Sequence, residues 1–260
     1  LLLGIVLGCY FLLQKLFGSL HPVLSWSLDL FLGYSLLALR DLEIHGLRVW
    51  RATAEGNLMK AREEVSQLVG RDVERLDLAG CNRATLESLS ENLSDGVVSP
   101  LIWLTLVGIP GMLAFKVIST MDSMVGYRNS RYLRFGWFGA RTDDLMNWVP
   151  ARLTWVLLSI SAWVLPDYDG RMAWSIGLSQ HQYMSGPNAG WGQAASAGAL
   201  RVQLVGEKWK NGRLQHNAWL GHSDDPAQVG ADSIARLIRL NRYATLLLLV
   251  ILSLLITVFN

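Results

Sequence analysis

The sequence predicts an all-α, polytopic membrane protein, with cytoplasmic amphipathic helices and one segment able to turn back within the membrane. Three observations predict it. Hydrophobic residues make up 51% of the chain and its mean hydropathy is +0.28. Only 17% of residues are charged, against about 25% in a typical soluble protein. Five apolar stretches approach the roughly 20 residues that a membrane helix needs. Eleven Trp residues suit the headgroup level, where amphipathic rings settle. The formal net charge of +2 lacks the strongly basic balance of a nucleic-acid-binding domain.

The elements follow in chain order as one integral membrane domain, 1–260. The first span, 1–18, opens Leu-Leu-Leu inside an apolar run and reads as truncated, so the native N-terminus is expected to lie upstream. It lacks the basic start and small-residue cleavage site of a signal peptide. The second span, 22–39, carries one acid, Asp29. The third, 97–119, is interrupted by Gly108-Ile109-Pro110-Gly111. Pro removes a backbone donor and Gly loosens a helix. This stretch is either one kinked crossing or a re-entrant pair, and non-helical backbone at that depth must face protein or water. The fourth span, 149–166, contains Arg152; the fifth, 243–259, shows no polar face at all. A soluble core helix would show one. Cys9 and Cys81 are expected to be free, buried thiols, since no pairing pattern exists.

Three polar segments separate the spans. Residues 41–95 carry seven Lys and Arg and residues 167–242 carry eight, which favours the cytoplasmic side for both. Within the first, Leu58, Arg62, Val65, Leu68 and Val69 keep helical spacing. Gly70-Arg71-Asp72 breaks that helix, and a second runs over 78–95. Along it Arg83, Glu87, Glu91 and Asp95 recur every four residues, which stacks three acids on one face. Stacked like charges repel by about 0.2–0.5 kcal/mol per pair. Glu87 alone reads as part of a solvated face balanced by Arg83. Glu91-Asn92 and Asp95 read as functional, because they lie where a polar helix meets the membrane.

Residues 121–148 alternate acids with guanidinium groups: Asp122, Ser123, Tyr127, Arg128, Arg131, Arg134, Arg141, Asp143, Asp144 and Asn147. Lys116 lies just before them and Arg152 just after. Hard divalent cations take carboxylate and amide oxygens, and Mg²⁺ shares substrate phosphates. Arg and Lys hold phosphate through charge-assisted hydrogen bonds. Asp143, Asp144 and Asn147 fall on adjacent turns of one short helix. Arg128, Arg131 and Arg134 equally suit a basic patch against anionic lipid. In the last segment Asn188 is a candidate N-cap, at a helix start that could face an anion. Gly190, Ala194 and Gly198 form a small-residue stripe for close helix packing. No Walker phosphate loop and no dinucleotide fingerprint are present, and the five His lack metal-ligand spacing.

These motifs together resemble one known family. The residues are Gly70-Arg71-Asp72, the run from Glu87 through Glu91-Asn92 and Asp95-Gly96 to Leu101, and Lys116 through Asp122-Ser123-Met124 to Tyr127. Ala140-Arg141-Thr142-Asp143-Asp144, Asn147, Pro150-Ala151-Arg152-Leu153, Pro187-Asn188-Ala189-Gly190-Trp191 and Ala197-Gly198-Ala199-Leu200 follow in the same order. The chain resembles the adenosylcobinamide-phosphate synthase family, also called CobD/CbiB. The Asp-Pro…His-Pro opening usual there is missing, Val73 stands where Thr is usual, and Gly186 where Ser is usual.

The resemblance implies a multi-pass enzyme of the cell inner membrane. It would use ATP and Mg²⁺ to join adenosylcobyric acid to aminopropanol or aminopropanol phosphate as an amide. Its partners would be these substrates and the lipid bilayer, with no nucleic acid; self-association stays open. The positions it points to as catalytic are Glu91, Asp95, Lys116, Asp122 and Arg141. Arg71, Asn92, Ser123, Tyr127, Arg152, Asn188 and Trp191 would contact substrate, and Asp143, Asp144 and Asn147 the metal.

Overall fold

The computed structural model describes residues 1–125 and 136–259. Twelve α-helices are described: α1 Leu2–Leu20, α2 Pro22–Ser35, α3 Leu39–Ala54, α4 Leu58–Ser66, α5 Leu78–Leu93, α6 Ser99–Val107, α7 Ile109–Val125, α8 Trp137–Met146, α9 Trp148–Val164, α10 Gly170–Gln180, α11 Ala189–Leu200 and α12 Asp232–Phe259. Ser94–Val98 forms a π-helical turn between α5 and α6. Four short strands, β1 Leu204–Val205, β2 Lys208–Lys210, β3 Arg213–Gln215 and β4 Trp219–Leu220, pair antiparallel as β1 with β4 and β2 with β3. Among the described residues, three stretches are long and apolar enough to cross a membrane: Leu2–Leu20, Pro22–Ala54 and Asp232–Val258. The second is interrupted at 36–38, between α2 and α3. The apolar α9 is shorter. The all-α membrane architecture is therefore what the composition predicts. The two strand pairs are an addition to it.

The chain divides into two compact units, one of residues 1–38 and 95–150, the other of residues 39–94 and 151–260. In the first unit, α1 and α2 form an apolar hairpin. It leaves Ile5, Phe11, Leu12, Trp26, Leu30 and Phe31 exposed, as lipid-facing residues are. Cys9 lies on this exposed surface and Cys81 is buried in the other unit. The expectation of two buried thiols thus fails for Cys9, because α1 is apolar all round and buries only Tyr10. Asp29 of α2 accepts hydrogen bonds from Tyr10 Oη at 3.0 Å and from Gln14. An acid at membrane depth needs such partners.

The break between α6 and α7 favours the re-entrant pair. Gly108 adopts φ +74, and α7 turns back along α6. A Cβ on Gly111 would meet the Trp103 carbonyl oxygen at 2.7 Å, eight residues earlier in the chain. In a continuous helix those positions are about 12 Å apart. At nine residues, α6 is about 14 Å long, too short to cross.

The second unit is built on α5, which buries Cys81, Ala84, Leu86, Glu87, Leu89 and Leu93. Asp77 caps it by accepting from Gly80 N at 2.7 Å. Helices α3, α11 and α12 pack on it. Gly46 of α3 admits Leu89 and Ile238, whose side chains would stand 3.0 and 3.1 Å from a Cβ there. Helix α11 is buried along its whole length and lies against α10. Gly190 and Gly198 make that possible, since a Cβ on either would strike the carbonyl of His181 or of Met172.

Candidate functional site

The first unit gathers a carboxylate cluster. Asp122 ends α7, while Asp143 and Asp144 lie on α8, which packs against α7. Gly139 allows the approach, with Met121 Cβ 3.6 Å from where its own Cβ would be. Asn147 is 1% exposed and holds the cluster in place. Its Oδ1 accepts from Ser99 Oγ at 2.5 Å and its Nδ2 donates to Asp143 Oδ2 at 3.1 Å. Asp143 Oδ1 is buried and has no hydrogen-bond partner. Burial pushes the Asp143 carboxyl up to about 6; hydrogen bonds from Asn147 and Ser119 ease it down, and the charges of Asp122 and Asp144 push it further up. Burial also raises Asp122, with Asp144 adding to it. Arg141 meets Asp144 at 3.6 Å on the outer face of α8. Lys116 lies within electrostatic reach of Asp95.

Mg²⁺ is implied by the resemblance, and these residues fit it. No group of three or more His, Cys, Asp or Glu converges as a ready-made metal cage among the described residues. Mg²⁺ does not require one, because it takes one or two carboxylates and completes its shell with water and phosphate. Three neighbouring Asp residues and an orphaned buried oxygen on Asp143 match that requirement. Asn147 acts as the buttress of Asp143.

The second unit gathers a different cluster. Glu87 is 4% exposed and forms an ion pair with Arg71. Its Oε1 accepts from Val205 N at 3.1 Å. The solvated face balanced by Arg83 is thereby corrected. The α5 face that carries Glu87 is covered by β1 and by the 68–71 segment, and Arg83 instead donates to Ala227 O at 3.0 Å. One turn along α5, Glu91 Oε2 accepts from Gln193 Nε2 at 3.0 Å. Solvent reaches Glu91, yet the surrounding protein removes enough water to push its carboxyl above the usual range. Lys208 of β2 partly offsets the rise. Burial and the Arg71 charge lower the Lys208 ammonium in turn.

Arg152, Asn188 and Trp191 also meet in this unit. Arg152 lies over the Trp191 ring at 5.0 Å and reaches Asn188 Oδ1 at 3.5 Å. Trp191 stacks between His181 at 3.7 Å and Trp155 at 5.0 Å. Asn188 occupies the N-cap of α11 without a side-chain capping bond. Asn92 and Ser123 donate within their own helices, to Ser88 O at 2.9 Å and Ser119 O at 3.0 Å. Tyr127, Arg128, Arg131 and Arg134 lie outside the described residues.

Gln193 and Lys208 went unnoticed in the sequence. A signal existed for each. Gln193 is a polar residue inside a helix otherwise made of small and apolar ones. Lys208 precedes Asn211-Gly212, the dipeptide of a tight hairpin turn. Both of these residues have positive φ here, 53 and 72. Asp72 clamps this turn, accepting from Asn211 N at 3.0 Å and Gly212 N at 2.7 Å.

Comparison with known proteins adds the family. The model of the family described as CobD/Cbib protein matches residues 1–241. The chain is 40% identical over 236 residues to the cobalamin biosynthesis protein CobD of Yersinia enterocolitica, covering 91% of this chain and 73% of that protein. It is 37% identical over 249 residues to the cobalamin biosynthesis protein CbiB of Salmonella typhimurium, covering 96% and 76%. No solved structure matches it. With its motifs in order and a match along nearly its whole length, the chain belongs to the CobD/CbiB family, whose members compared here are cobalamin biosynthesis proteins.

Proposed function

We propose that the protein is a multi-pass enzyme of the cell inner membrane that forms an amide between adenosylcobyric acid and aminopropanol or aminopropanol phosphate, consuming ATP with Mg²⁺. The observation that carries this reading is the carboxylate cluster of Asp122, Asp143 and Asp144, with Asp143 Oδ1 buried and unpartnered, in a chain of this family. A carboxylate does not condense with an amine unaided, so activation by phosphoryl transfer to an acyl phosphate is the expected route. Asp143 and Asp144 would hold Mg²⁺, which when bound neutralises charge on the transferring phosphoryl group. Lys116 and Arg141 would add cationic stabilisation where that charge builds. Arg152, over Trp191, offers a guanidinium to an anionic or amide-bearing substrate.

The test uses the protein in detergent with ATP, Mg²⁺ and adenosylcobyric acid. The two amines are supplied separately and the corrinoid product is weighed by mass spectrometry. A product heavier by the amine, less water, supports the reading and names the amine. Folded protein that yields none with either amine removes it, and leaves a non-catalytic membrane protein of the same fold, sensing or carrying a ligand, as the better reading.

A further inference from the structure

The cluster around Glu91 contains an unfilled set of acceptors. Gln193 is 2% exposed; its Nε2 is engaged by Glu91, while its Oε1 has no hydrogen-bond partner. Buried polar atoms are nearly always paired, and an exception calls for a specific cause. The orphan is not an accident of loose packing. Gly192, the preceding residue, brings α11 against the Ser90 carbonyl, which would stand 2.8 Å from a Cβ there. That contact fixes the Gln193 amide on Glu91. Nearby, Arg71 and Glu87 satisfy each other, with Val205 N completing Glu87. Lys208 is half-buried and feels Arg71, Glu87 and Glu91, but its ammonium forms no hydrogen bond or ion pair with any described residue.

What is left unsatisfied is an acceptor-only pair bearing one negative charge: the remaining lone pairs of the Glu91 carboxylate and the Gln193 amide oxygen. The complement of such a pair is a compact cation with several donors. A primary ammonium has three N–H donors and no acceptor. Phosphate or carboxylate would meet two acceptors and be repelled.

We propose that Glu91 and Gln193 form the binding site of the amine substrate, taken up as a primary alkylammonium. The inference rests on the ligase reading above. The chemistry at the site is one proton transfer. The Glu91 carboxylate takes one proton from the ammonium and becomes the carboxylic acid, and the nitrogen keeps its electron pair and becomes the neutral, nucleophilic amine. Gln193 Oε1 accepts one of the two remaining N–H bonds and so orients the lone pair. The groups facing Glu91 are Lys208, Glu87, Arg71 and Gln193. Desolvation by the surrounding protein makes Glu91 a stronger base than a fully hydrated glutamate, and the Lys208 charge keeps it ionisable.

The experiment uses the full chain in detergent. Calorimetric titration with aminopropanol, without ATP, reads binding alone, and steady-state kinetics read KM for each substrate. Replacing Gln193→Met removes the acceptor, together with the Nε2 bond to Glu91, at nearly constant volume. It is expected to weaken amine binding and raise amine KM by about tenfold, the loss typical of one hydrogen bond to a charged group. KM for ATP and for the corrinoid should stay unchanged. Lys208→Met removes the cation that lowers Glu91, so the acidic limb of kcat/KM is expected to move to higher pH. Product formation with an unchanged amine KM in folded Gln193→Met overturns the site and leaves the ligase standing. Amine binding that Gln193→Met weakens, in a wild-type protein that makes no product, supports the ammonium site and removes the ligase. If Gln193→Met does not fold, Lys208→Met decides, and an unmoved acidic limb overturns the proposal.

Discussion

Ser99 Oγ donates to Asn147 Oδ1 at 2.5 Å and joins the start of α6 to the end of α8. Through its other amide group the same Asn147 holds Asp143. A side chain 1% exposed with both ends engaged leaves two orphans when it is removed. Asn147→Ala is therefore expected to destabilise the first unit by about 1–3 kcal/mol. It should also raise the Asp143 pKa above its present value of about 6, since the Asn147 bond lowers it. Denaturant unfolding checks the first effect and carboxylate titration by infrared difference spectroscopy the second.

Asp143 also makes stability depend on pH. Its folded pKa of about 6 stands above its ordinary value of 3.8. Between those values the folded state binds more protons than the unfolded state, so stability falls as pH rises through this window. Metal-free protein is expected to have a higher Tm near pH 4.5 than near pH 6.5. In Asp143→Asn that slope should be smaller. An identical slope in the variant would show that other carboxylates carry the effect.

Glu87 and Arg71 are 5% and 11% exposed at their side chains and form a buried ion pair. Replacing one partner strands the other charge, which costs about 3–5 kcal/mol. Glu87→Ala is expected to lose that much, and Val205 N–H loses its acceptor as well. The replacement Glu87→Ala with Arg71→Met should recover part of the loss. A double-mutant cycle in detergent measures the coupling.

Asp72 holds the β2–β3 turn from a half-buried position, through the amides of Asn211 and Gly212. Arg75 adds a cation–π contact to Trp209, 3.7 Å from the ring centroid. Asp72→Ala should cost about 1 kcal/mol. Hydrogen exchange is expected to quicken at Asn211 and Gly212 while α5 stays protected. Because β2 carries Lys208, the same variant should move the acidic limb of kcat/KM as Lys208→Met does.

Gly192 sets the spacing between α11 and α5. Gly192→Val is expected to push the helices apart at Ser90 and to cost about 1–3 kcal/mol by overpacking. The Gln193–Glu91 bond should lengthen with it. Amine KM is predicted to rise more than kcat falls, and a Gly192→Ala variant should show a smaller rise of the same kind.

The sequence by itself determined the class of protein and its long elements. Apolar runs report burial or lipid directly, and helical spacing of Leu58, Val65 and Leu68 reports a face, because both are local properties of the chain. Local chemistry also placed Asp143 and Asp144 on one helix, with Asn147 at its C-cap rather than within it. Position in the sequence could not show which way a polar side chain is answered. Glu87 and Glu91 are one turn apart with the same chemistry; Arg71 closes the first into a buried pair, while Gln193 leaves the second with acceptors to spare. Those partners arrive from 16 and 102 residues away. Likewise Gly108 could serve a kink or a hairpin, and only the packing of Gly111 on the Trp103 carbonyl decided it. The physical reason is common to all three. Helix and span signals come from neighbours in the chain, whereas the charge and hydrogen-bond state of a buried group is set by atoms that tertiary packing brings to it.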